Sequence, residues 1–208
     1  MITSKSPSNA NIVFLFDKTK FFVPENSVFG SLYSGVEAAG ARFLDDPIIH
    51  AKVLTLPNIQ TRITLEENRL RIDDDSGKNP EESRVCEDAF KAREKLFPSS
   101  SLEAFGFNFD IQYRFSNVIP LNDFFEKIFN PKIYGEKDLR DFGFQCTLNN
   151  SKKGYTDTFF FKIVSPLELS VHLNRHFSSK EIPKEKKIKE LFLACYEDVD
   201  SMVLSIKI

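Results

Sequence analysis

The chain has no tryptophan, two methionines and three cysteines among its 208 residues. Cys86, Cys146 and Cys195 lie far apart and are odd in number, which excludes a disulfide framework and a Cys-x-x-Cys metal knuckle. They read as small core residues. A basic excess is also missing. Lys and Arg number 28 against 30 Asp and Glu, for a formal charge of -2. Nucleic-acid binders draw most of their affinity from phosphate neutralisation, so no nucleic-acid partner is expected. No stretch approaches the roughly 20 apolar residues of a membrane span, and Ile12–Phe16 is too short for a signal-peptide core. The expectation is a cytoplasmic protein without a membrane partner.

Catalytic and cofactor signatures are missing in the same way. The eight glycines never cluster as a phosphate loop, a dinucleotide fingerprint or a nucleophile elbow requires. No cofactor is therefore expected. The run Asp73–Asp75 resembles the start of a calcium loop, but Lys78 and Arg84 stand where that loop needs Gly and Glu. The stretch Phe105–Phe109 is like the aromatic strand of an RNA-recognition domain. Glu103 and Ala104, however, replace the basic residue and glycine preceding it there. The five lysines between Lys180 and Lys189 are interrupted by Glu181 and Glu185 and read as a solvated face. His172 and His176 share one side of an alternating segment. Four strand residues separate them by roughly 13 Å, too far for one ion with bonds of about 2 Å to each. No metal site is expected.

What the chain has in quantity is phenylalanine, 22 residues, within a hydrophobic fraction of 41% and a charged fraction of 28%. Those fractions are globular. Residues 1–10 read as a flexible polar tail, and residues 11–208 as a single α+β domain. Asn11–Phe16 and Lys20–Val23 suggest a hairpin, and Val28–Val36 a helix weakened by Gly30 and Gly35. Ile48–Leu56, Ile59–Leu65 and Arg69–Asp73 read as a three-strand meander. A helix capped by Asn79 and Pro80 follows, with Val85, Ala89, Ala92 and Leu96 inward.

The clearest strand is Phe105–Phe115, whose six apolar residues alternate with polar ones. A short helix is expected from Pro120 to Phe129. Strands then follow at Phe142–Leu148, Tyr155–Val164 and Leu167–Phe177, the first two joined by a turn at Asn149–Gly154. A long helix begins near Lys184, with Met202–Ile208 open to either helix or strand. The expected fold is a mainly antiparallel sheet with helices packed on one face. It divides into two meander-plus-helix halves, at about 11–100 and 101–208.

The segment Tyr113–Phe125 resembles a sporadically distributed family of uncharacterised bacterial proteins. It carries that family's Arg-aromatic-x-Asn-x-Ile pattern as Arg114, Phe115, Asn117 and Ile119, followed by the apolar pair Phe124 and Phe125. The resemblance spans about Ile59 to the C-terminus and implies a strand, a helix and a bacterial source, but no activity. The closing strand departs from the family in having His172 and Asn174 where acidic residues are expected.

One constellation points toward a ligand. Asn108, Asp110, Gln112 and Arg114 share the polar side of one strand, and Ser170, His172, Asn174 and His176 that of a later one. If the two are neighbours, Arg114 would hold an anion and His172 or His176 would exchange protons. The leading expectation is nevertheless a non-enzymatic protein-interaction or assembly module, self-associating through a sheet edge or the closing helix. The alternative is a small-ligand binder or enzyme using Asn108, Asp110, Arg114, His172 and His176.

Overall fold

The computed structural model describes residues 2–119, 142–181 and 183–206. The helix expected at 120–129 lies outside them. Among the described residues, nine strands form one sheet. They are β1 (Ile2–Phe16), β2 (Arg42–Asp46), β3 (Ala51–Leu56), β4 (Thr61–Glu66), β5 (Arg69–Asp74), β6 (Leu102–Phe115), β7 (Phe142–Asn150), β8 (Tyr155–Ser165) and β9 (Glu168–Phe177). Their order is β2-β3-β4-β5-β1-β6-β9-β8-β7, and every neighbouring pair is antiparallel. The α-helices among the described residues are α1 (Asn26–Gly30), α2 (Val85–Leu96) and α3 (Glu185–Ser205). The class is α+β.

The two long strands β1 and β6 pair at the centre, and each also pairs with the last strand of the meander that follows it, β5 and β9 respectively. Strict alternation decides which side chains are buried. Ile12, Phe14 and Phe16 of β1, Phe107, Phe109 and Ile111 of β6, and Val171 and Leu173 of β9 are fully enclosed. They join Ala89 and Ala92 of α2 and Ile188, Phe192, Cys195 and Val199 of α3 in one hydrophobic cluster. Phe192 meets Phe109 at 4.7 Å and Phe107 edge-on at 5.5 Å, so the phenylalanines make the core.

Several local expectations are corrected. Residues 2–10 are not a tail but the first part of β1, and the expected hairpin within residues 11–23 does not form. Their sequence carries no apolar alternation, and the segment is held by backbone pairing with β6 and by Lys5, which meets Asp200 and the Tyr196 ring of α3. Pro7 fits because β5 pairs with β1 only from Ala10 onward, so no ladder bond is needed on that side, and the β6 register shifts beside it. The first meander has four strands rather than three, β2 being unforeseen. The helix expected over 28–36 stops at Gly30, and Gly35 takes a left-handed φ of 61°. Asn79 and Pro80 open a turn, and α2 starts only at Val85. Met202–Ser205 is helical.

Candidate functional site

The face of the sheet opposite the phenylalanine side chains is polar along a complete row. In register across all nine strands stand Arg42, Thr55, Arg62, Asp73, Asn11, Asn108, Asn174, Thr158 and Thr147. Each is an alternate residue of its strand, so the pleat places them on one side.

The centre of the row is tied together. Asn174 donates its amide to Asn108 Oδ1, and Asn108 donates to Asn11 Oδ1 at 2.7 Å. Asn11 donates to Asn9 Oδ1 at 3.0 Å, and Asn9 to Asp75 Oδ1 at 2.8 Å. Four amides thus run head to tail from β9 to a carboxylate just beyond β5, an arrangement in which each bond polarises the next. Asn11 and Asn108 are buried by their neighbours and so are held in place.

Around this chain lies a hollow of about 510 Å³ lined by Asn9, Asn11, Arg62, Arg69, Arg71, Asp73, Asn108, Asp110, His172 and Asn174. Asp73 is buried, accepting from Arg71 Nε at 2.9 Å and from Arg62 Nε at 3.4 Å. Those two guanidiniums are therefore occupied in part. The Arg69 side chain is exposed and makes no hydrogen bond or ion pair among the described residues. His172 Nδ1 meets Asp110 Oδ1 at 2.8 Å, which fixes the ring and leaves Nε2 for other partners.

The residues singled out in the sequence separate here. β6 and β9 are neighbours, with Asn108 opposite Asn174 and Asp110 opposite His172. Asn108, Asp110 and His172 line the same hollow. His176 lines a smaller one of about 250 Å³, made possible by Gly106 opposite it, where a side chain would otherwise stand. Arg114 lies outside both hollows, opposite Glu168 and exposed. The cations at the hollow are Arg62, Arg69 and Arg71. The alternation of β4 had already put Arg62 on a polar side. Asn9 and Asn11 were hidden by the reading of their segment as tail and hairpin.

Two charged clusters lie on the other side of the sheet. Arg175 is buried and bidentate to Asp157 at 2.6 and 2.7 Å, with Asp198 of α3 at 2.8 Å and the Tyr155 ring 3.9 Å away. Asp88 of α2 accepts from Tyr33 Oη at 2.8 Å and from Thr61 Oγ1 at 3.1 Å. Each cluster ties a helix to the sheet. Among the thiols, burial pushes Cys86 up to about 12 and raises Cys195 further, which keeps both inert as nucleophiles. Among the described residues, no group of three or more His, Cys, Asp or Glu side chains is placed to hold a metal ion. No described helix is long and apolar enough to cross a membrane.

Compared with protein-family models, curated proteins and solved structures, the chain matches none.

Proposed function

We propose that this protein binds a small, hydroxyl-rich molecule carrying a carboxylate or phosphate in the polar hollow of its sheet. The observation that carries the reading is the head-to-tail chain of asparagines lying beside the unpartnered Arg69. Amides offer donors and acceptors together, the chemistry that matches hydroxyl groups. Arg69 supplies the anion contact. The hollow falls within the roughly 300–1,000 Å³ range of ligand sites. Its polar lining selects against apolar ligands.

In this reading the helices pack on one face of the sheet and leave the other free for the ligand. The two halves, each a long strand, a meander and a helix, are an internal duplication whose pseudo-twofold axis passes between β1 and β6. The hollow then sits at the junction of the halves. Asn11 comes from one and Asn108 from the other.

The test is a calorimetric and NMR titration with sugar acids, sugar phosphates and the corresponding neutral sugars. The acidic compounds are expected to bind and to shift the side-chain amide signals of Asn108 and Asn174. Arg69→Ala should weaken them about tenfold or more, the scale of a lost charge-assisted hydrogen bond. Shifts confined to other surfaces, or affinity indifferent to Arg69→Ala, would refute the assignment.

A further inference from the structure

The sheet ends in an edge strand whose own sequence is self-complementary. β2 is Arg42-Phe43-Leu44-Asp45-Asp46, paired on one side with β3 and on the other with nothing among the described residues. Its side chains are largely exposed, Leu44 at 57% and Phe43 at 38%, and the turn after it leaves Ile48 87% exposed. An open edge presents unpaired backbone N–H and C=O groups and is a template for another strand. β2 carries no proline and no bulge, and whether its three charges block or direct pairing depends on the register.

We infer that this edge pairs with the β2 edge of a second copy, antiparallel about a twofold axis at Leu44, so that two nine-stranded sheets join into one. The charges choose the register. Centred on Leu44, Arg42 of each chain stands opposite Asp46 of the other, giving two symmetric ion pairs on one face and Leu44 against Leu44 between them. All five strand residues are paired. A twofold axis at Arg42, Asp45 or Asp46 would set like charges against each other, which is destabilising. An axis at Phe43 pairs Arg42 with Leu44 and leaves no charge satisfied.

The charged groups are free to take these roles. The Arg42 side chain makes no hydrogen bond or ion pair among the described residues. Asp46 is held in place because its Oδ1 accepts from the backbone N–H of Ile48 at 2.9 Å and of Ile49 at 3.3 Å, which leaves Oδ2 for the partner. Asp45, which would otherwise add a second negative charge to the edge, is engaged with Asn26 at 2.8 Å and Lys52 at 3.9 Å. The assembly does not use the ligand site proposed above, because β2 contributes no residue to the lining of the hollow.

The test is sedimentation of the full chain over a range of concentrations, with charge-reversed variants. The wild type is expected to dimerise reversibly. Arg42→Asp alone and Asp46→Arg alone should each raise the dimer dissociation constant about tenfold or more, since each turns two attractive cross-strand pairs into repulsive ones. An equimolar mixture of the two variants should form heterodimers at wild-type strength, and the doubly substituted chain should self-associate again. Because Asp46 also caps the following turn, Leu44→Cys provides a second readout. Mild oxidation should link it into a covalent dimer, while the wild type stays unlinked. A wild type that sediments as a monomer up to its solubility limit, a dimer indifferent to the charge reversals, or a Leu44→Cys chain that links no faster than the wild type would overturn the inference.

Discussion

Asp88 illustrates what a single buried charge does in this core. Its side chain is fully enclosed, and burial raises its pKa despite the hydroxyls of Tyr33 and Thr61 and the Arg84 guanidinium 3.6 Å away. A carboxyl whose folded pKa lies above its unfolded value holds its proton more tightly when folded. Its contribution to stability is therefore fully present at low pH and declines as pH rises from the ordinary carboxylate range through the raised value. Asp88→Asn keeps the shape, can still accept from Tyr33, and cannot ionise. Urea unfolding at about pH 4 and about pH 7 should show the wild type losing ground to the variant as pH rises. A difference that stays constant, or moves the other way, would show that the Arg84 contact outweighs burial. No sequence pattern announced this residue. Its register on α2 follows from the Val85–Ala89–Ala92–Leu96 stripe, but its partners come from α2, β4 and the segment after α1.

Among the elements, β6 and β9 carry the candidate site, and their spacing depends on one glycine. A Cβ added to Gly106 would lie 2.7 Å from the backbone oxygen of Arg175. β9 cannot easily move aside there, because Arg175 is clamped by Asp157 and Asp198. Gly106→Ala is expected to cost about 1–3 kcal/mol, the usual penalty of overpacking, read as a lower urea midpoint with an unchanged far-UV spectrum. A neutral effect would mean that the strands separate there without cost. β6, β9 and α3 are legible in the sequence because each buries one face and so shows a clean period of two or 3.6. The first part of β1 and all of β2 are not legible. Residues 2–9 are mostly polar, and the inward-facing one that matters most, Lys5, finds its partners Asp200 and Tyr196 far along the chain, while β2 is exposed along most of its length. Where a strand lacks an alternating apolar face, backbone pairing and long-range contacts form it without a local signature.

At the level of the molecule, the joint between the halves is the pairing of β1 with β6, and a single hydrophobic cluster continues across it. The halves should therefore unfold together. The chain has no tryptophan, so far-UV circular dichroism and one-dimensional NMR of the phenylalanine and methyl signals are the suitable probes. Their urea transitions are expected to coincide, whereas two separated transitions would show halves that stand alone. The sequence by itself determined the antiparallel sheet with helices, the alternating core strands, the phenylalanine interior and which side of β6 and β9 is polar. These follow from local periodicity, which burial of one face imposes on every element. Only the tertiary structure decided that β6 and β9 are neighbours. It also decided that Asn9 and Asn11 complete the amide chain, and that arginines from β4 and β5, rather than Arg114, stand at the hollow. The physical reason is that strand order and register arise from contacts between residues far apart in the chain. The polar face around Asn108 and His172 was visible as a list of residues, and it became a site only when nine strands were set side by side.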